Sequence, residues 1–365
     1  MKNILVLSNV GMLSAAFRYR IYNTLSLLEK EGYVHTDVLC LYSDSTMRTL
    51  NGRKQILKVI KVCYDLLLFV IGLYKIRKNK YDAVIVKTNL FPILGANIER
   101  KVSFLVNTNK WIYDIDDAVY FNYTRAENAL FAKVRDLKSK VGFWLSKADK
   151  VTLSNRIIFD DLHKIYGLSE EKCSFFLSSP YCNQYFNVGE DISIGKDENR
   201  IIWLGSAHTQ SELYLLENFI NGIKNYIPNV EIILMGCEKD FPLFRNIEYV
   251  TFVEWSPENE RREMRRASFG LNPLRDDMFQ KRKSAFKVIQ YYRAGVIPIV
   301  SNVGINRDLI NKYRGYVVDS FDDIDGIAGF MNEACVNIRE YRLSMFLDSS
   351  ELSTENIAGQ IKNLI

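Results

Sequence analysis

A chain of 365 residues with 48% apolar and 13% aromatic residues is long enough for two domains, each with its own core, and too apolar to be disordered. The net charge of +5 comes from 48 basic and 43 acidic residues spread along the chain, which argues weakly for an anionic partner and against a nucleic-acid binder. Six cysteines without a CxxC pair and three isolated histidines argue against a zinc site and a disulfide framework, and fit a reducing compartment.

Lys2 to Val10 is a compact apolar run with no cleavage-like end, so it reads as a first strand and not a signal peptide. Gly11 and a small-residue loop follow, then helical periodicity from Phe17 to Lys30, the opening of an α/β unit. Arg18 and Arg20 stand at the start of that helix, where open α/β sheets gather their ligand-binding loops; as single arginines they fit a solvated role equally well. Val34 to Leu41 is the next strand, and the polar stretch Ser43 to Gln55 reads as a loop. Ile56 to Ile76 contains Leu66-Leu67-Leu68-Phe69-Val70-Ile71 between Lys58, Lys61, Lys75, Arg77 and Lys78, but Asp65 and the inner lysines interrupt it, so it is no clean membrane span. Two readings stand for it: a long helix packed on the sheet, or a helix lying in a bilayer interface.

Tyr81 to Val86 is a third strand, Leu94 to Val106 a helix, and Lys110 to Asp117 a strand that ends in Asp114, Asp116 and Asp117. Aspartates are poor strand residues, and three so close repel one another unless they meet a cation, a hydroxyl-rich ligand or N–H groups. An N-cap accounts for one of them, which leaves Asp116 and Asp117 with a ligand or structural hydrogen-bonding role. No neighbouring carboxylates or spaced histidines suggest a dedicated metal site. Leu130 to Ser146 is helical, Lys150 to Ser154 a strand, Arg156 to Tyr166 a helix stopped at Gly167, and Cys173 to Leu177 a last strand. The Pro- and Gly-bearing stretch that follows has no long apolar pattern, which gives domains at 1–180 and 197–345 joined by a linker at 181–196. A C-terminal helix at 346–365 is expected to pack back on the first domain.

The second run opens with the strand Arg200 to Leu204, then Gly205-Ser206 and a helix from Glu212 to Tyr226. Further strands are expected at 230–235, 247–252, 268–272, 297–300 and 315–318, with polar and terminal helices at 258–267, 322–338 and 351–364. Neither G-x-G-x-x-G nor G-x-x-x-x-G-K-[S/T] occurs, so the dinucleotide fingerprint and the P-loop are both absent. Lys283-Ser284-Ala285-Phe286-Lys287 is expected to open a helix that runs to Gly295. Lys283 and Lys287 would share a face one turn apart, cations where a helix dipole disfavours them, a conflict that a bound phosphate would relieve. A solvated basic turn before a core helix is the plainer alternative.

Taken together, Tyr113-Asp114-Ile115-Asp116-Asp117-Ala118, Trp203-Leu204-Gly205-Ser206 and the stretch from Gly270 to Asn306 resemble the retaining, nucleotide-sugar-dependent glycosyltransferases of family 4 and their close relatives. The resemblance runs over nearly the full length. It implies an α/β fold of GT-B type, two Rossmann-like lobes facing across a cleft, with the acceptor on the first lobe and the donor on the second. Carried over, Gly205 and Ser206 would approach the donor diphosphate, and Lys283, Ser284 and Lys287 would meet it at the helix start. Gln290 and Arg282 stand where the family has a pair of Glu residues seven apart. Gln290 can still hydrogen-bond a ribose, Arg282 cannot copy a carboxylate, and Asp276 or Asp277 is the expected substitute toward the sugar. Asp116 and Asp117 would orient acceptor hydroxyls, and Arg18 would meet phosphate or acceptor.

The implied reaction is transfer of a sugar from a nucleoside-diphosphate sugar to an acceptor hydroxyl with retention, with no metal and no further cofactor required. The implied setting is bacterial surface polysaccharide or glycolipid synthesis, on a glycan or lipid-linked acceptor, in the cytoplasm or peripheral at the inner face of the membrane. A nucleotide-sugar epimerase and a non-catalytic glycan- or nucleotide-binding protein of the same fold are the competing readings.

Overall fold

The computed structural model describes residues 1–50, 55–92, 94–118, 120, 136–180, 184–186, 190, 197–207, 209–238 and 241–365. The first part of the expected helix 130–146, most of the expected linker 181–196, and His208 lie outside them. The chain forms two compact units: Met1–Ser178 with Arg282–Ser284 and Thr354–Ile365, and Ser179–Lys281 with Ala285–Ser353. The expected boundary at 345/346 falls inside the helix Ile338–Asp348, whereas the units divide at 353/354.

The first unit is built on a sheet of six strands: β1 (Lys2–Ser8), β2 (Val34–Cys40), β4 (Ala83–Lys87), β6 (Trp111–Ile115), β7 (Lys150–Leu153) and β8 (Cys173–Phe175). They are parallel and lie in the order β2-β1-β4-β6-β7-β8. A short parallel pair, β3 (Lys80–Tyr81) and β5 (Asn107–Thr108), lies apart from it. Helices cover both faces, so the inner strands are apolar on both sides. Leu5, Leu7, Val84, Val86, Trp111 and Tyr113 point to one face, against helices that include Gln55–Ile76, Ala96–Leu105 and Leu137–Lys147. Alternate residues Ile4, Val6, Ala83, Ile85 and Ile112 point to the other, under the helix that starts at Ala15 and the C-terminal helix Thr354–Leu364. That C-terminal helix packs on Asn23–Lys30, and Lys2 Nζ donates to the carbonyl of Ile365 at 2.8 Å.

The helix after β1 is capped by Ser14 and passes through a π-helical turn at Arg18–Tyr22, a departure common at functional positions. Helix Arg156–Tyr166 has the ends its sequence announces. Asn155 accepts from the N–H of Ile158, and Gly167 closes it at φ 69°. One expectation fails: Asp44–Leu50 is a helix and not a loop. Ser43 Oγ accepts from the N–H of Thr46, and Asp44 and Arg48 suit its two ends, so capping stabilises a helix too polar to show apolar periodicity.

The second unit also carries six strands: β9 (Arg200–Leu204), β10 (Glu231–Met235), β11 (Val250–Val253), β12 (Phe269–Asn272), β13 (Ile297–Ser301) and β14 (Tyr316–Val318). They form a parallel sheet in the order β11-β10-β9-β12-β13-β14. By chain order within the unit this is 3-2-1-4-5-6, the Rossmann arrangement. The helix expected to open at Lys283 begins instead at Phe286 and ends at Arg293, after Ala285 at φ 52°, ψ 32°. Lys283 is therefore not helical, and the shared helical face with Lys287 is not formed.

Candidate functional site

In open α/β sheets, ligands collect outside the carboxyl ends of the strands where the strand order reverses. The first unit reverses between β1 and β4, and the ends of β4 and its neighbour β6 carry the charged residues. Asp114 is fully buried and accepts from Arg20 Nε at 2.7 Å, Lys87 Nζ at 2.9 Å and Thr152 Oγ1 at 2.6 Å. Lys87 Nζ also donates to Asp116 at 2.6 Å. Burial disfavours all four charges, yet they balance two against two, and pairing prevails. Arg20 and Lys87 overcome the desolvation of Asp114 and hold its carboxyl at about 2. Burial opposes the charge on Lys87, but Asp114 and Asp116 keep its pKa above the ordinary lysine value.

Asp117 differs from its neighbours. It is partly exposed, yet its Oδ1 is enclosed and has no hydrogen-bond partner among the described residues. Burial, and then the adjacent Asp116 carboxylate, push it up to about 6, against Lys87, Lys283 and the Ser284 N–H. A carboxyl poised near neutrality can accept or hold a hydroxyl proton, which neither Asp114 nor the Lys87-bound oxygen of Asp116 is placed to do. Two residues beyond β4, Asn89 is buried and its Nδ2 has no hydrogen-bond partner among the described residues, after Thr88 at φ 56°. Arg18 Nη1 donates to the carbonyl of Met12 at 2.7 Å and its guanidinium lies over the Tyr19 ring.

Lys283 and Ser284 belong to the first unit because Arg282 anchors them there. The Arg282 guanidinium grips Asp161 through Nε and, at 2.8 Å, through Nη2. Tyr120 donates to the same carboxylate at 3.0 Å, and Asn155 Nδ2 donates to the Arg282 carbonyl at 3.1 Å. Arginine at this position thus serves an internal ion pair, and it holds the Lys283–Ser284 backbone beside Asp117.

The second unit reverses between β9 and β12, with Gly205-Ser206 after one strand and the loop beginning at Pro273 after the other. A Cβ on Gly205 would stand 2.0 Å from the buried Trp203 ring, so packing already requires the glycine. Its N–H donates to the Met235 carbonyl and that of Ser206 to Thr209 Oγ1, both at 3.0 Å, which leaves the exposed Ser206 hydroxyl as the group this turn presents. Asp277 Oδ1 accepts from the N–H groups of Phe279 and Gln280, each at 2.8 Å, and so shapes the loop, while Asp276 pairs with Lys281 at 2.5 Å. Lys287 Nζ meets Glu212 at 2.9 Å and lies over the Trp203 ring. Gln290 is buried, with Nε2 donating to Tyr185 Oη at 2.9 Å and to Glu260 at 3.1 Å. Among the described residues, no group of three His, Cys, Asp or Glu side chains is arranged to hold a metal ion.

Lys87, Thr152 and Asp161 were not singled out as site residues by sequence reasoning, and Arg20 was noted only with Arg18, as an arginine at the start of the first helix that a ligand or solvent could meet equally well. Lys87 had a signal, a charge closing an otherwise apolar strand. Asp161 had none, since its partner is 121 positions away.

No family model and no curated protein matches the sequence. The structure does have relatives. Sucrose-phosphate synthase from Thermosynechococcus elongatus is similar at TM-score 0.65 and 13% identity, over 100% of this chain and 98% of that one. WaaG, a glycosyltransferase involved in lipopolysaccharide biosynthesis, is similar at TM-score 0.64 and 11% identity, over 100% and 99%. HepE from Anabaena, solved in complex with UDP and glucose, is similar at TM-score 0.62 and 11% identity, over 100% and 99%. The chain shares their fold. At these identities the likeness establishes the fold, two Rossmann-like units, and the chemistry is argued from the residues.

Proposed function

We propose that this chain is a glycosyltransferase that moves a sugar from a nucleoside-diphosphate sugar to an acceptor hydroxyl, with retention at the anomeric carbon. The observation that carries the reading is the strand order of the second unit, which sets the Gly205-Ser206 turn and the loop from Pro273 at the ends of two adjacent strands flanking the reversal. Such a crevice suits a nucleotide, and a structure of this fold holds UDP and glucose.

In this reading the second unit takes the donor and the first the acceptor. The bond between the anomeric carbon and the diphosphate oxygen breaks while the acceptor oxygen bonds to the same carbon. The acceptor proton passes to the leaving phosphate, and the nucleoside diphosphate departs with its electron pair. On the second unit the Ser206 hydroxyl stabilises the charge that develops on that diphosphate, and Lys283 with the Ser284 hydroxyl is the first unit's own candidate for binding phosphate. Lys287, held by Glu212, supports this charge from behind. Asp117 orients the acceptor hydroxyl, Asp116 and Arg18 hold the strand-end loops around it, Gln290 lies beneath the nucleotide, and Asp277 keeps the donor loop in shape. The acceptor is a glycan or a lipid-linked sugar of the cell envelope, met at the inner face of the membrane, and the scheme requires no metal.

The commitment of Arg282 to Asp161 and of Gln290 to Tyr185 and Glu260 favours a second reading, a nucleotide-binding protein without turnover. Incubation with a panel of nucleoside-diphosphate sugars separates the two. A transferase releases nucleoside diphosphate slowly to water, and the freed sugar carries the donor's anomeric configuration by NMR. Tight binding with no release from any donor would support the second reading.

A further inference from the structure

We propose that the outer surface of helices Gln55–Ile76, Ala96–Leu105 and Leu137–Lys147 docks on an anionic lipid bilayer. The first of these has 22 residues, about 33 Å of helix, and turns only Asp65, Phe69 and Leu73 fully inward. Its other sides are apolar as well: Ile56 is 79% exposed, Val59 63%, Tyr64 59% and Leu67 57%. Apolar side chains exposed along the whole length of one helix call for a cover, and a large exposed apolar patch marks an interaction surface. On the neighbouring helix Phe104 is 84% exposed. Between the two lies an apolar groove of about 320 Å³, lined by Leu66, Val70, Leu73, Phe91, Ile98 and Leu105 among others.

Charge selects the partner. The three helices contain two carboxylates, Asp65 and Glu99, and both are buried. Asp65 accepts from the N–H and hydroxyl of Ser43 at 2.7 and 3.1 Å, and Glu99 accepts from the N–H of Phe91 at 3.1 Å and from Trp144 Nε1. The helices therefore expose no carboxylate, while Lys75, Arg100, Lys101, Lys138 and Lys147 reach solvent. An open cavity of about 780 Å³ continues the basic surface, with Arg100, Lys138, Lys172 and three serines in its lining. A second copy of the chain is a poor occupant, because a two-fold contact would set this basic face against itself. Among the described residues no helix is long and apolar enough to cross a membrane, so the face lies on the bilayer, with its side chains entering the headgroup and upper acyl region.

The inference is independent of the transferase reading, since binding is measured with no donor or acceptor. The full chain is sedimented with vesicles of phosphatidylcholine, with and without phosphatidylglycerol, at low and high salt. It is expected to sediment with the anionic vesicles and to be released by salt. Each exposed cation near the surface is worth roughly fivefold in binding, so Arg100→Gln with Lys101→Gln weakens it about 25-fold. Ile60→Ser with Phe104→Ser weakens it at low salt with every charge retained, and an unchanged unfolding temperature shows these surface variants to be folded. The proposal is overturned if the chain stays in solution with anionic vesicles at low salt, or if it sediments equally with both vesicle types whatever the variant. It is equally overturned if light scattering finds a dimer that Ile60→Ser with Phe104→Ser dissociates, which would make a second copy the occupant.

Discussion

Substitution of Asp117 by asparagine gives the sharpest test of the first unit's strand-end chemistry. The Asp117 carboxyl is raised from 3.8 to about 6 by burial and by Asp116. Between these values the unfolded chain has lost the proton and the folded chain still holds it, so stability falls as pH rises from about 4 to 6 and levels off above. Two pKa units correspond to about 3 kcal/mol, which partial solvent access reduces to roughly 2 kcal/mol. Asp114, held at about 2, titrates below this window and acts in the opposite sense, so it does not mask the effect. The amide introduced by Asp117→Asn cannot ionise, so the variant should match the parent near pH 4 and exceed it by about 2 kcal/mol at pH 7. The assay is denaturant unfolding followed at half-unit steps from pH 4 to 7.5, with turnover read on the same samples. A more stable and less active variant is the expected pair of results, as for a residue retained for function at a cost in stability. Parallel pH curves for the two proteins would refute the assigned environment, and full turnover would reduce Asp117 to a structural residue.

The remaining expectations concern the anchor, the charges and the turn. Lys283→Ala should weaken nucleoside-diphosphate binding by roughly 10- to 100-fold by calorimetry, the range for one charge-assisted contact. Asp161→Asn and Arg282→Gln should each destabilise the first unit by about 2–3 kcal/mol, while the double variant costs clearly less than their sum, as a double-mutant cycle in urea reads. Lys87→Met leaves two buried carboxylates facing each other and should cost on the order of 3–5 kcal/mol, which circular dichroism melts would show at once. Gly205→Ala drives a methyl into the Trp203 ring and should cost about 1–3 kcal/mol, read by the shift of the urea midpoint.

Most of the fold was legible because its parallel strands are short apolar runs bounded by Gly or polar residues. Arg200 to Leu204 and the helix Arg156 to Tyr166 coincide with their expected bounds. The polar helix Asp44–Leu50 and the helices Asn306–Tyr313 and Ile338–Asp348 were missed; the first has no apolar stripe and is fixed by its cap. The helix start at Phe286 was misplaced because Ala285 takes a left-handed conformation that its side chain does not announce. For the site, the three aspartates were recognisable as a strained group, but their separate roles depend on Lys87 and Arg20, which approach from other strands and helices. Likewise the departure at Arg282 becomes intelligible only through Asp161, a contact that local pattern cannot encode.

The central claim, that the chain binds a nucleotide sugar, is tested most directly by calorimetric titration of the full chain with UDP, GDP, ADP and their sugar conjugates. The account predicts saturable binding of one base's diphosphate and its sugars, lost in large part with Lys283→Ala. Binding of none of them, or binding that Lys283→Ala leaves unchanged, would contradict it.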